Sequence, residues 1–167
     1  MKRLLLIVLP LLLIVGCSEV EGQQQLIPNI TERYENGGIK SIYYYKKTRN
    51  KIKVVKYEEY YNIGQMEEES HFKDGERIGL RTWWYANGKK KSEGTYKDGE
   101  KDGKWTEWYD NGQKSEEGTY KDGYQDGLWT AWDENGQKDY ELTFKDGELI
   151  EETYWDEDGN VNYHWKQ

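Results

Sequence analysis

Trp84, Trp108 and Trp132 recur at intervals of 24 residues. Indoles spaced so regularly can stack on sugar rings or anchor a partner protein, or they can pack against their own sheet. Acids crowd around glycine at Asp98, Glu100 and Asp102 and again at Asp122 and Asp126, which raises calcium coordination. Those acids lack the alternating ligands closed by a glutamate that a dedicated calcium loop carries. Turn formation, which favours Asp and Gly, accounts for them. The two histidines, His71 and His164, have no Cys or His neighbour at metal-ligand spacing. Neither a Ser/His/Asp grouping nor a phosphate loop is visible, and among 32 acidic residues a pair of carboxylates says nothing about glycoside chemistry. These residue types point away from an enzyme and call for no cofactor and no metal. The tryptophan row is the candidate binding surface.

The elements that must position this row are legible as a repeat. His71-Phe72-Lys73-Asp74-Gly75 returns as Thr95-Tyr96-Lys97-Asp98-Gly99, Thr119-Tyr120-Lys121-Asp122-Gly123 and Thr143-Phe144-Lys145-Asp146-Gly147. A fixed period of 24 residues means one supersecondary unit copied along an axis, with each copy burying its apolar surface against the next. Such arrays work through extended surfaces. The chain has 167 residues, 15% aromatics and 18 glycines, a composition that suits short strands and tight turns. Asn36-Gly37, Asn87-Gly88, Asn111-Gly112 and Asn135-Gly136 mark one set of turns, predicted to be type I′. Asp-Gly pairs mark the opposite set, predicted as loops of about four residues. Turns alternating ends about every 12 residues describe an antiparallel meander. The expected fold is therefore all-β: an elongated, single-layer antiparallel sheet of repeated hairpins.

Counting cross-strand partners outward from Asn111-Gly112 places Trp105 opposite Gly118 and Trp108 opposite Ser115, and a four-residue loop beyond places Tyr120 opposite Trp129. One face then collects Trp105, Gly118, Tyr120, Trp129 and Ala131. The other collects Thr106, Trp108, Ser115, Thr119, Thr130 and Trp132. The first reads as packing, the second as a hydroxyl-rich face with one Trp per repeat. Two strands per repeat space these indoles roughly 10 Å apart.

The first residues are a separate object. Met1-Lys2-Arg3 is a basic n-region and Leu4 to Val15 an apolar run too short to span a bilayer. The sequence Leu13-Ile14-Val15-Gly16-Cys17 resembles the lipobox of bacterial lipoproteins and contains the chain's only cysteine. That resemblance implies a signal peptide at 1–16 and acylation of Cys17, leaving no thiol for disulfides. It implies a membrane-anchored lipoprotein of the bacterial cell envelope, in the outer membrane where the cell has one. Residues 17–33, polar and containing Pro28, read as the lipidated cysteine and a flexible tether. Loss of Lys2 and Arg3, with no acid among the residues removed, takes the net charge from −8 to −10. So acidic a domain repels phosphate backbones, which excludes nucleic acid as a partner.

The repeat array is expected over 34–165: an irregular unit at 34–64, regular units at 65–137 and an eroded cap at 138–165. The stretch from Trp105 to Gly127, with Tyr109-Asp110-Asn111-Gly112 and Tyr120-Lys121-Asp122-Gly123, resembles the MORN-variant repeat. The resemblance implies a twisted single-layer sheet and protein–protein or membrane-proximal interaction, with no catalytic residue to carry over. The leading expectation is a non-catalytic, lipid-anchored repeat protein that binds a protein partner. A module that docks cell-wall glycan on the Trp row, and an antitoxin-like protein that sequesters a toxin, are the alternatives.

Overall fold

The computed structural model describes residues 25–167. The signal segment, Cys17 and the first part of the expected tether lie outside the described residues. Twelve strands follow one another: β1 (Ile27–Arg33), β2 (Ile39–Lys47), β3 (Ile52–Tyr60), β4 (Met66–Lys73), β5 (Glu76–Trp84), β6 (Lys90–Lys97), β7 (Glu100–Trp108), β8 (Lys114–Lys121), β9 (Tyr124–Trp132), β10 (Lys138–Lys145), β11 (Glu148–Trp155) and β12 (Val161–Lys166). Their order in the sheet is their order in the chain, and every neighbouring pair is antiparallel. This is the expected all-β meander in one open sheet, and no helix occurs among the described residues.

The sheet begins earlier than the sequence implied. Residues 27–33, which read as tether by composition, form β1 and pair with β2 from Ile27 opposite Tyr45 to Arg33 opposite Ile39. Pro28 is compatible with this because an edge strand leaves half its amides unpaired.

The two kinds of turn are exchanged relative to expectation. At Asp74, Asp98, Asp122 and Asp146 φ lies between 46° and 56°, and the glycine after each is also positive. With Lys97 opposite Glu100 and Lys121 opposite Tyr124, these are two-residue type I′ turns, not four-residue loops. The second glycine of each predicted loop, Gly103 or Gly127, sits instead at a bulge within the following strand. In the Asn-Gly turns only the glycine is left-handed. Gly112 N–H donates to Tyr109 O (2.9 Å) and Tyr109 N–H to Gln113 O (2.8 Å), the pattern of a type I turn closed by a glycine bulge.

A single layer has no second sheet to cover it, so its core must be built within one face. Trp105 is 4% exposed and Trp129 2%, and Ala131 is also buried. Their rings pack along the sheet through Tyr120, 5.7 Å from Trp105 and 5.0 Å from Trp129, both edge-on. Glycines let the indoles lie on bare backbone: a Cβ on Gly118 would stand 2.1 Å from the Trp129 ring. The expected pairing of Trp105 with Gly118 holds. Two other expected pairings do not. Trp108 opposes Lys114, because a register shift passes over Ser115, and Tyr120 opposes Gln125, because the turn is two residues long.

Candidate functional site

The face opposite the aromatic core carries the tryptophan row. Trp84, Trp108 and Trp132 each end a strand (β5, β7, β9), just before an Asn-Gly turn. All three are half-buried. Each accepts, at its backbone carbonyl, a hydrogen bond from the tyrosine hydroxyl of the preceding repeat: Tyr61 to Trp84 (2.8 Å), Tyr85 to Trp108 (2.7 Å) and Tyr109 to Trp132 (2.8 Å). The turn asparagines do the same two positions on, Asn87 Nδ2 donating to Asp110 O (3.1 Å) and Asn111 Nδ2 to Glu134 O (2.9 Å). The Tyr-x-Asn-Gly spacing thus holds each Trp-bearing strand end in a fixed position relative to the next.

A lysine ammonium lies over three indoles along this face. Lys90 Nζ lies 5.8 Å from the Trp108 ring centroid, Lys114 5.8 Å from Trp132, and Lys138 4.8 Å from Trp155. These are the geometry of cation–π contacts. The row therefore has a fourth member, Trp155, which the 24-residue count misses because the last unit is one residue short.

Inboard of the indoles, threonine and glutamate alternate across the strands. Glu93 lies opposite Thr82 and Thr106, Glu117 opposite Thr106 and Thr130, and Glu141 opposite Thr130. Thr82, Thr106 and Thr130 are buried, so this hydroxyl-rich face is not the open surface its composition implied. Long Lys and Glu side chains cover them: Lys104 reaches Glu117 at 3.0 Å, Lys114 pairs with the same carboxylate, and Thr106 Oγ1 donates to it at 3.3 Å. Burial alone would raise the Glu117 carboxyl, but hydrogen bonds from Lys114 and Lys104 outweigh it and hold it below its ordinary value. Leu80 (47% exposed) and Leu128 (53% exposed) stand on the same face, opposite Thr95 and Thr143. A shallow hollow forms between repeats, floored by Thr95 and Thr106 and walled by Leu80, Lys104, Trp108 and Glu117.

The structure thus keeps Trp84, Trp108 and Trp132 together in one row. It adds Trp155, the leucines and the Lys–Glu pairs, none of which the sequence reading selected. The signal for the pairs was present in Lys90-x-x-Glu93, Lys114-x-x-Glu117 and Lys138-x-x-Glu141, repeated every 24 residues. Among the described residues no group of three or more His, Cys, Asp or Glu is placed to hold a metal ion.

The family model described as MORN repeat variant matches residues 77–98, 101–122 and 125–146. No curated protein matches the chain. Among solved structures, a mutant of S. aureus TarM in complex with fondaparinux, α-GlcNAc-glycerol and UDP aligns at 10% identity and a TM-score of 0.32. That alignment covers 75% of this chain and 21% of TarM. A protein of unknown function from Bacteroides fragilis aligns over 88% of this chain and 95% of its own, at 13% identity and a TM-score of 0.22. Superpositions this loose carry no argument about activity.

Proposed function

From the three consecutive MORN-variant repeats that the chain contains within residues 77–146, we propose a non-catalytic, lipid-anchored protein of the cell envelope that binds a protein partner through its tryptophan-bearing face. Repeats of this kind serve binding or interaction. The anchor rests on the Leu13-to-Cys17 sequence. The observation that carries the choice of face is compositional and geometric together. Exposed Leu80 and Leu128, half-buried Trp84, Trp108 and Trp132, and paired Lys and Glu side chains recur in register along it. Apolar anchors ringed by polar groups are the make-up of a protein interface. Glycan stacking needs a bare indole face, whereas here lysine ammonium groups already lie beside the rings of Trp108 and Trp132. That contact favours the protein reading over the glycan one. Sequestration of a toxin would be the same binding event with a toxin as partner.

Crosslinking and capture with the full chain from its own membranes identifies the partner, and titration then measures the effect of Trp108→Ala. Truncating an interface tryptophan typically costs about 2 kcal/mol, so affinity should fall roughly thirtyfold. Trp105→Ala, by contrast, should lower the melting temperature far more, because Trp105 is in the core. Unchanged affinity in Trp108→Ala, or purified cell-wall glycan competing with the captured protein, would sink the protein-partner reading.

A further inference from the structure

The hairpin between β2 and β3 inverts the charge pattern of its end of the sheet. Five hairpins close there, and four of them turn through Asp74-Gly75, Asp98-Gly99, Asp122-Gly123 and Asp146-Gly147. The first, residues 46–53, instead holds Lys46, Lys47, Arg49, Lys51 and Lys53 and no acid. Lys53 pairs with Asp74, whose carboxyl is held below its ordinary value first by that contact and further by Lys73 and Lys51. Lys46, Lys47, Arg49 and Lys51 make no ion pair among the described residues, and all four are exposed. Beside them Ile52 is 63% exposed, and Leu26 and Ile27 are also exposed. Lys46, Lys53, Lys73 and Phe72 line a hollow at the foot of this hairpin.

Topology brings the chain's entry to the same corner. β1 runs antiparallel to β2 with Ile27 opposite Tyr45, so the chain enters the sheet where β2 runs out into the basic hairpin. Cys17 is 10 residues before Ile27, a length that spans at most about 36 Å. We propose that this corner is a membrane-facing surface. Its four unpaired cations would sit among the phosphates of anionic phospholipids in the leaflet that holds the Cys17 anchor, with Ile52, Leu26 and Ile27 entering the interface. The proposal rests on the anchor reading above.

Each basic residue at an anionic leaflet strengthens attachment roughly fivefold, so four act together by several hundredfold. The acidic turns do not cancel this. Asp74 is already neutralised, and Asp98 lies two hairpins away, about 20 Å at strand spacing and beyond a screening length of about 10 Å. Repulsion of those turns tilts the later repeats away from the bilayer and leaves the tryptophan row open to a partner.

The test uses the full-length chain purified from membranes and bound to vesicles of phosphatidylcholine, alone or with about one third phosphatidylglycerol. Thermolysin cleaves ahead of exposed isoleucines, and Ile52 at the basic corner and Ile63 at the opposite end are 63% and 66% exposed. Cleavage at Ile52 relative to Ile63 should slow at least tenfold on the anionic vesicles and recover at about 1 M salt, where screening is nearly complete. The variant K46Q/K47Q/R49Q/K51Q should show no difference between the two lipids. An equal cleavage ratio on neutral and anionic vesicles overturns the proposal. Failure to float with neutral vesicles overturns the anchor instead. The corner then stands if phosphatidylglycerol vesicles still recruit the chain and falls if they do not.

Discussion

Glu68 and Glu116 are both partly buried on the aromatic face, and they titrate in opposite senses. Burial pushes each carboxyl up. For Glu68 it is outweighed by Arg81, which donates from Nε (2.9 Å) and Nη2 (2.7 Å), and by the Ser70 hydroxyl (2.6 Å), so its carboxyl is held low. For Glu116 burial outweighs the Tyr140 hydroxyl at 3.1 Å and the more distant Lys101 charge, and Glu107 faces it directly across the strands, so its carboxyl is held high. A lowered folded-state pKa gives stability that is present above the unfolded value and lost as pH falls through the folded one. A raised one gives a penalty that is absent below the unfolded value and complete above the folded one. Glu116→Gln should therefore raise the melting temperature at pH 7, and the gain should vanish below about pH 4. Glu68→Gln should cost about 2 kcal/mol at pH 7, since it leaves the half-buried Arg81 without its charge partner. Melting curves from about pH 3 to 8 check both signs. A Glu116→Gln gain that persists in acid would mean that something other than ionisation penalises the wild-type residue. Neither environment was legible in the sequence. Register shifts decide which glutamates meet a cation, and composition shows only that acids are plentiful.

At the scale of the hairpin, the period and antiparallel order were legible, because glycine and aspartate punctuate the chain at fixed intervals. The turn types were not. Asn-Gly and Asp-Gly share one short-range preference for left-handed backbone, and the deciding contacts lie a repeat away. The Asn111 side chain is committed twice, Oδ1 accepting from Gln113 N–H at 2.8 Å and Nδ2 donating to Glu134 O at 2.9 Å. That geometry needs a right-handed asparagine ahead of the glycine. Asp122, at φ 46°, carries the strain instead. Substituting glycine should separate the two cases. Asp122→Gly should be neutral or mildly stabilising, since glycine adopts that φ freely. Asn111→Gly should cost about 1–2 kcal/mol, having lost two hydrogen bonds. Equal effects in urea melts would contradict the assignment of turn types. The β1 boundary escaped the sequence for a similar reason. Pro28 reads as a break until the strand is known to lie on an edge.

Across the whole molecule, each strand pairs only with its sequence neighbours, so stability accumulates along the array and not around one centre. The accumulation is uneven. Trp105, Thr106, Trp129, Thr130 and Ala131 are buried in β7 and β9, while every residue of β1 and of β12 is exposed. Two open edges also leave backbone groups unpaired at each end. A sheet built this way opens from its ends, with local opening free energies that rise from near zero at the edges towards the global value in the middle. Amide exchange should follow that gradient: β12 and β1 fastest, β10–β11 and β2–β3 next, β7–β9 slowest. A uniform profile would show that the twelve strands open as one cooperative unit. The gradient bears on the proposed surface as well. Trp108 and Trp132 terminate the most protected strands, whereas Trp155 precedes β12, so the rigid part of the row is its centre. A partner that engages the whole row would have to order the last hairpin as it binds. Its arrival should then slow exchange in β11 and β12 more than in β7–β9, where little freedom is left to lose.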